Sequence, residues 1–144
     1  MPVFVDTNVL VYARDESDPA KHATAGEWME YLWTSGEGRL STQVLHEYYV
    51  TVTRKLSPGL DKEEARSEVL DLTTWEPVLP DDQMIGSAWS IEDASGISFW
   101  DALIVAAAAA AGCERLLTED LQHGAVIHGV QIADPFRTPA GPAE

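Results

Sequence analysis

Ten apolar residues in a row, Ala102 to Ala111, follow a single aspartate. Seven of them are alanines, so the segment favours helix, and such a helix has no polar face to turn toward water. It must be covered on every side. It is also far too short to cross a bilayer, which takes ~20 residues. A helix of this kind belongs at the centre of a layered domain, and the flanking sequence supplies the other layers. Val3-Phe4-Val5 is a β-prone run that stops at Asp6-Thr7-Asn8, with a helical pattern following at Val9, Leu10 and Tyr12. Asp18 before Pro19 predicts an N-cap with proline in the first turn. Trp28, Met29, Leu32 and Trp33 then recur at helical spacing up to Gly36–Gly38.

Arg39-Leu40-Ser41-Thr42 reads as a weak strand. Gln43 to Leu56 reads as a helix with Val44, Leu45, Tyr48, Tyr49, Val52 and Leu56 on one broad stripe, broken at Ser57-Pro58-Gly59. Asp61 to Leu72 and Asp81 to Ala94 read as further helices, with a short strand expected over Glu76–Leu79. Gly112 ends the apolar helix. Arg115–Thr118 is a strand, Glu119–Gly124 a turn, and Val130–Ile132 a last strand. Strands alternating with helices predict an α/β domain with a largely parallel sheet. The chain has 144 residues, enough for one core. We expect one domain over 1–135 and a poorly ordered tail rich in Pro and Gly over 136–144.

Charge narrows the function. Nine Lys plus Arg stand against 24 Asp plus Glu, a net charge of −15. A surface that coats nucleic acid is usually basic, because phosphate neutralisation supplies most non-specific affinity. This chain would touch nucleic acid only locally, and its acidity suits a basic protein partner. Cys113 is the one cysteine, so no internal disulfide forms, and a reducing compartment is expected. The N-terminus lacks a basic start and an unbroken apolar core, unlike a signal peptide. A cytoplasmic protein, with no membrane partner, is expected.

In open α/β sheets, ligands bind beyond the carboxyl ends of the strands. Asp6 and Asp120 stand at two such ends. Each also suits a plain helix or turn cap. Ser98-Phe99-Trp100-Asp101 fits a capping box, and Glu47 fits a solvated residue about 60° round the helix from Val44. Asp101 strains that simple reading, since it opens the most apolar helix and a buried carboxylate is costly unless paired or holding a metal. Converging acids raise one another's pKa, and carboxylate oxygens suit Mg²⁺ or Mn²⁺ rather than Zn²⁺. The four histidines show no paired ligand spacing.

Three segments, FVDTNVLVYA, STQVLHEYY and ISFWDALIVAAAAAAGCERLLTEDLQHG, together resemble a PIN domain, and more narrowly a VapC-type toxin ribonuclease, over Val3 to about Pro135. The resemblance implies an α/β/α sandwich around a mostly parallel sheet. It implies an acidic cluster of Asp6, Glu47, Asp101 and Asp120 that holds Mg²⁺, with Mn²⁺ substituting. Thr7, Asn8 and Thr118 would be supporting polar groups, and Glu119 an acid competing with Asp120. The activity implied is metal-dependent cleavage of RNA phosphodiesters, in a homodimer with a cognate antitoxin. Arg14 and Arg54-Lys55 would position substrate or simply end their helices. Trp100 reads as a core residue, with stacking on a base as the alternative. Two rival readings are a non-catalytic interaction module of the same fold and a HAD-type phosphatase. The latter wants Asp-x-Asp where this chain has Asp6-Thr7-Asn8, and a late Lys where the last is Lys62.

Overall fold

Val3-Phe4-Val5 is apolar on both faces, so it takes the middle of a sheet with strands on either side. In the computed structural model, which describes residues 1–143, β1 (Val3–Val5) pairs parallel with β2 (Gly38–Arg39) on one side and β3 (Arg115–Leu117) on the other. β3 pairs parallel with β5 (Val130–Ala133), and β4 (Val126–Ile127) closes the edge antiparallel to β5. The order is β2-β1-β3-β5-β4. All of β1 and β3 is buried, as apolar runs in a parallel sheet should be, and β3 buries the charged Arg115 as well. The expected mostly parallel α/β sandwich is therefore present.

Six helices complete it: α1 (Thr7–Tyr12), α2 (Pro19–Ser35), α3 (Thr42–Val50), α4 (Lys62–Leu72), α5 (Asp82–Ser95) and α6 (Phe99–Ala110). Asp18 caps α2 by accepting from the Lys21 N–H at 3.2 Å, with Pro19 in the first turn. α6 is buried from Ala102 to Ala108 and packs on β3, β5 and α5. Among the described residues no single helix is long and apolar enough to cross a membrane.

Several local expectations change. The helix read over Gln43–Leu56 is α-helical only to Val50, and Thr51–Lys55 forms a wider π-turn. Glu76–Leu79 makes no strand, only an isolated bridge between Ser41 and Val78. The β4–β5 hairpin turns through His128 and Gly129, both at positive φ. Trp100 is 65% exposed, so it is not a core residue. It follows Ser98, which caps α6, and the first turn of that helix projects from the core before the apolar run begins. Residues 135–143, read from the sequence as a tail, carry specific contacts. Trp28 Nε1 donates to the Pro135 and Thr138 carbonyls at 3.1 and 3.2 Å, and Arg115 donates to the Gly141 carbonyl at 2.9 Å.

Candidate metal centre

Sheet register builds half of the site. Val5 pairs with Leu117, so the next residues, Asp6 and Thr118, leave the sheet side by side at the carboxyl ends of β1 and β3. Both are pinned by backbone bonds, Asp6 N–H to the Leu117 carbonyl at 3.0 Å and Thr118 N–H to the Ala133 carbonyl at 3.1 Å. Thr118 is fully buried, and its hydroxyl donates to Asp6 Oδ2 at 2.9 Å. The Thr118 oxygen in turn accepts from the Asp120 N–H at 3.1 Å, fixing the turn that carries Asp120. Asn8, on α1, donates through Nδ2 to Thr118 Oγ1 and to Asp120 Oδ2, both at 3.1 Å, and more weakly to Asp6 Oδ2 at 3.4 Å. All three of those partners are oxygens, which fixes the orientation of the amide. Asp6 also caps α1, its Oδ1 accepting from the Thr7 N–H at 2.8 Å. The capping and site roles are thus combined in one side chain.

Helices bring the other half. α6 leads into β3, so it runs back across the sheet and its first turn returns to the end where β3 finishes. That places Asp101, the third residue of α6, close enough to Asp120 to raise its pKa. Ser98 Oγ accepts from the Asp101 N–H at 3.1 Å, half of the expected capping box. Asp101 is half-buried, so the penalty expected for a deeply buried carboxylate is relieved by partial exposure. Glu47 comes from α3 and is exposed. Its carboxylate accepts from Thr7 Oγ1 at 2.7 Å and from Gln43 Nε2 at 3.0 Å. Gln43 is a contact that sequence spacing alone did not single out, though it stands four residues before Glu47 on the same helix.

Burial and neighbouring charge both act on Asp6 and Asp120. Burial, with Asp6 only 7% exposed, pushes its carboxyl up to about 6. The bonds from Thr118 and Thr7 work against that rise, and the charges of Asp120 and Glu47 add to it. Asp120 is raised first by burial, is lowered by its bond from Asn8, and is raised again by Glu119, Asp101 and Glu47. Glu119 points elsewhere. It is bound to Lys21 Nζ at 2.6 Å, and that ammonium lies about 5 Å from both the Tyr12 and Phe136 rings. The competing acid is therefore held by its own cation, and Asp120 is the acid joined to the network.

The donor set fits a hard divalent cation. It consists of carboxylate oxygens with hydroxyl and amide groups behind them, and no thiolate or imidazole takes part. Asn8 Oδ1 is buried with no hydrogen-bond partner, a further oxygen able to accept from a water or face a cation. Among the described residues no three acidic, histidine or cysteine side chains stand close enough together to hold a metal ion as placed.

Comparison with known proteins bears on the fold and the family. The chain is similar in fold to a toxin–antitoxin complex from Klebsiella pneumoniae, with a TM-score of 0.63 at 16% identity, covering 94% of this chain and 98% of the other. It is also similar to VapC20 of Mycobacterium tuberculosis, described as a toxin cleaving the sarcin–ricin loop (TM-score 0.58, 21% identity, 82% and 89% covered). A third is VapBC2 of Rickettsia felis bound to a DNA fragment from its promoter (TM-score 0.56, 20% identity, 92% and 97% covered). No curated protein is significantly similar in sequence. The sequence profile of the PIN domain matches residues 3–127, and the chain therefore belongs to the PIN domain family.

Proposed function

We propose that this chain is a metal-dependent endoribonuclease, the toxin of a toxin–antitoxin pair. The observation that carries the reading is the network in which Asp6 and Asp120 share Thr118 and Asn8, Glu47 bonds Thr7 beside Asp6, and Asp101 lies near enough to act on Asp120. Such a cluster of like charges is costly to a fold that does not use it. PIN membership and the likeness to toxin structures, among them one that cleaves an RNA loop, support the same reading.

Asp6, Glu47, Asp101 and Asp120 would hold Mg²⁺, or Mn²⁺ in its place. When bound, the ion supplies an acidified water and offsets negative charge on the phosphate. The chain's own groups prepare for this. Thr118 and Asn8 fix the orientations of Asp6 and Asp120, and Thr7 with Gln43 fixes Glu47. Burial excludes bulk water from Asp6, which strengthens its electrostatic interactions. The carboxylates act as ligands and proton acceptors near the scissile phosphate rather than as attacking groups.

A cognate antitoxin and a second copy of this chain are the expected partners. Trp89 and Ile85 of α5 and Trp100 of α6 are exposed, and their apolar surface supports a protein contact in that region. The test of function is cleavage of tRNA, rRNA and mRNA fragments by wild type and Asp6→Asn, purified identically, with Mg²⁺, Mn²⁺ or EDTA. Discrete cutting by wild type alone, abolished by EDTA, is expected. Equal cutting by both proteins would refute the assignment.

A further inference from the structure

Of the cations on or near α1, α2 and the Thr51–Lys55 turn, Arg14 and Lys21 are spoken for, while Arg54 and Lys55 make no ion pair among the described residues. Arg14 pairs with Glu68 and, at 2.9 Å, with Glu64, while Lys21 pairs with Glu119. Lys55 lines a cleft of about 450 Å³ together with Thr7, His46, Glu47, Val50 and Thr51. Thr7 and Glu47 belong to the acidic cluster, so this cleft opens directly from the candidate metal centre.

The backbone explains how Lys55 arrives there. In an unbroken α-helix a residue eight positions after Glu47 would stand about 80° away round the axis. Instead the turn Thr51–Lys55 is π-helical, closed by the Leu56 N–H on the Thr51 carbonyl at 3.1 Å. A wider turn advances less per residue, which brings Lys55 back toward the side of Glu47. The turn is locked from behind. The Leu60 N–H bonds the Val52 carbonyl at 2.8 Å, and Thr53 Oγ1 bonds the Tyr49 carbonyl at 2.6 Å. Gly59 sits so close that a Cβ there would lie 2.7 Å from the Thr53 carbonyl oxygen.

We propose that this cleft is the track of the RNA strand beside the cut, with Lys55 binding a backbone phosphate and His46 and Thr51 adding hydrogen-bond donors. The proposal rests on the nuclease reading and names the groups that hold its substrate. On a chain of net charge −15, an unpaired ammonium next to the acids is where a phosphodiester can approach. The size of the cleft matches a nucleotide or two of single strand, not a duplex.

The probe is a fluorescein-labelled RNA of ten mixed nucleotides, its binding read by anisotropy with Ca²⁺ in place of Mg²⁺ so that turnover is not needed. Lys55→Gln should weaken binding about five- to tenfold and reduce the slope of log Kd against log salt by about 0.7, the share of one single-strand phosphate contact. Lys55→Arg should keep the wild-type slope, and Mn²⁺ binding should be the same in all three proteins. A purely structural role for Lys55 would not move the salt slope. Absence of RNA binding by wild type, or an unchanged slope in Lys55→Gln, overturns the track. Binding with a Lys55-dependent slope but no cleavage of any RNA overturns the nuclease reading alone.

Discussion

The two halves of the acidic cluster are built differently. Asp6 and Thr118 stand at adjacent strand ends, buried, with their backbones tied into the sheet and their side chains tied to each other and to Asn8. Glu47 and Asp101 project from the surfaces of α3 and α6. Glu47 is exposed and held only by Thr7 and Gln43, and Asp101 is held through its backbone N–H alone. The strand half is preorganised at a cost in charge burial. The helix half is adaptable and nearly free of that cost. A divalent cation held here would meet buried, hydrogen-bonded oxygens on the strand side and more exposed carboxylates on the helix side.

Turnover should not distinguish the halves, and this is the largest expected effect. Asp6→Asn and Glu47→Gln should each reduce RNA cleavage by about 1000-fold or more, since each removes a ligand charge from the metal. An unequal loss, with Glu47→Gln near wild type, would remove the helix half from the machinery.

Stability should distinguish them. Thr118→Val removes a buried hydroxyl that donates to Asp6 and accepts from Asn8 and Asp120, and should cost about 2–3 kcal/mol in urea unfolding. Asp6→Asn should gain on wild type with rising pH in EDTA. The native state holds the Asp6 proton up to about pH 6, whereas the unfolded chain releases it near 3.8. Stability from this group is therefore lost as pH rises from about 4 to about 6. The stability of the variant relative to wild type should therefore rise by up to about 3 kcal/mol between pH 4 and pH 7.5, on top of a constant cost for the acceptor that the amide loses. The smallest effect falls at the edge of the cluster. Lys21→Met breaks a partly exposed ion pair and should leave the melting temperature within about 2 °C, read by differential scanning fluorimetry.

What the sequence revealed follows the same division. β1, β3 and the caps at Asp18 and Ser98 were legible because apolar runs and capping residues act locally. With the strands placed, Asp6 and Asp120 could be put at one end of the sheet by a general rule. Nothing local says that Glu47 reaches the same place, since that depends on how α3 packs, and only resemblance supplied it. The π-turn at Thr51–Lys55 was hidden for the same reason, because it is stabilised by residues 59–60 folding back on it. Trp100 misled because its neighbours in sequence are apolar, while the first turn of α6 lies outside the layer that buries the rest. β4 has two residues and pairs through backbone alone, so side-chain periodicity could not announce it.

The most direct test of the cluster as one centre is a calorimetric titration of Mn²⁺ into wild type, Asp6→Asn and Asp101→Asn at pH 7.5. Wild type should bind, and both variants should lose at least about tenfold in affinity, since each half supplies ligands to one ion. Wild-type affinity in Asp101→Asn, or no binding by wild type, would contradict the account.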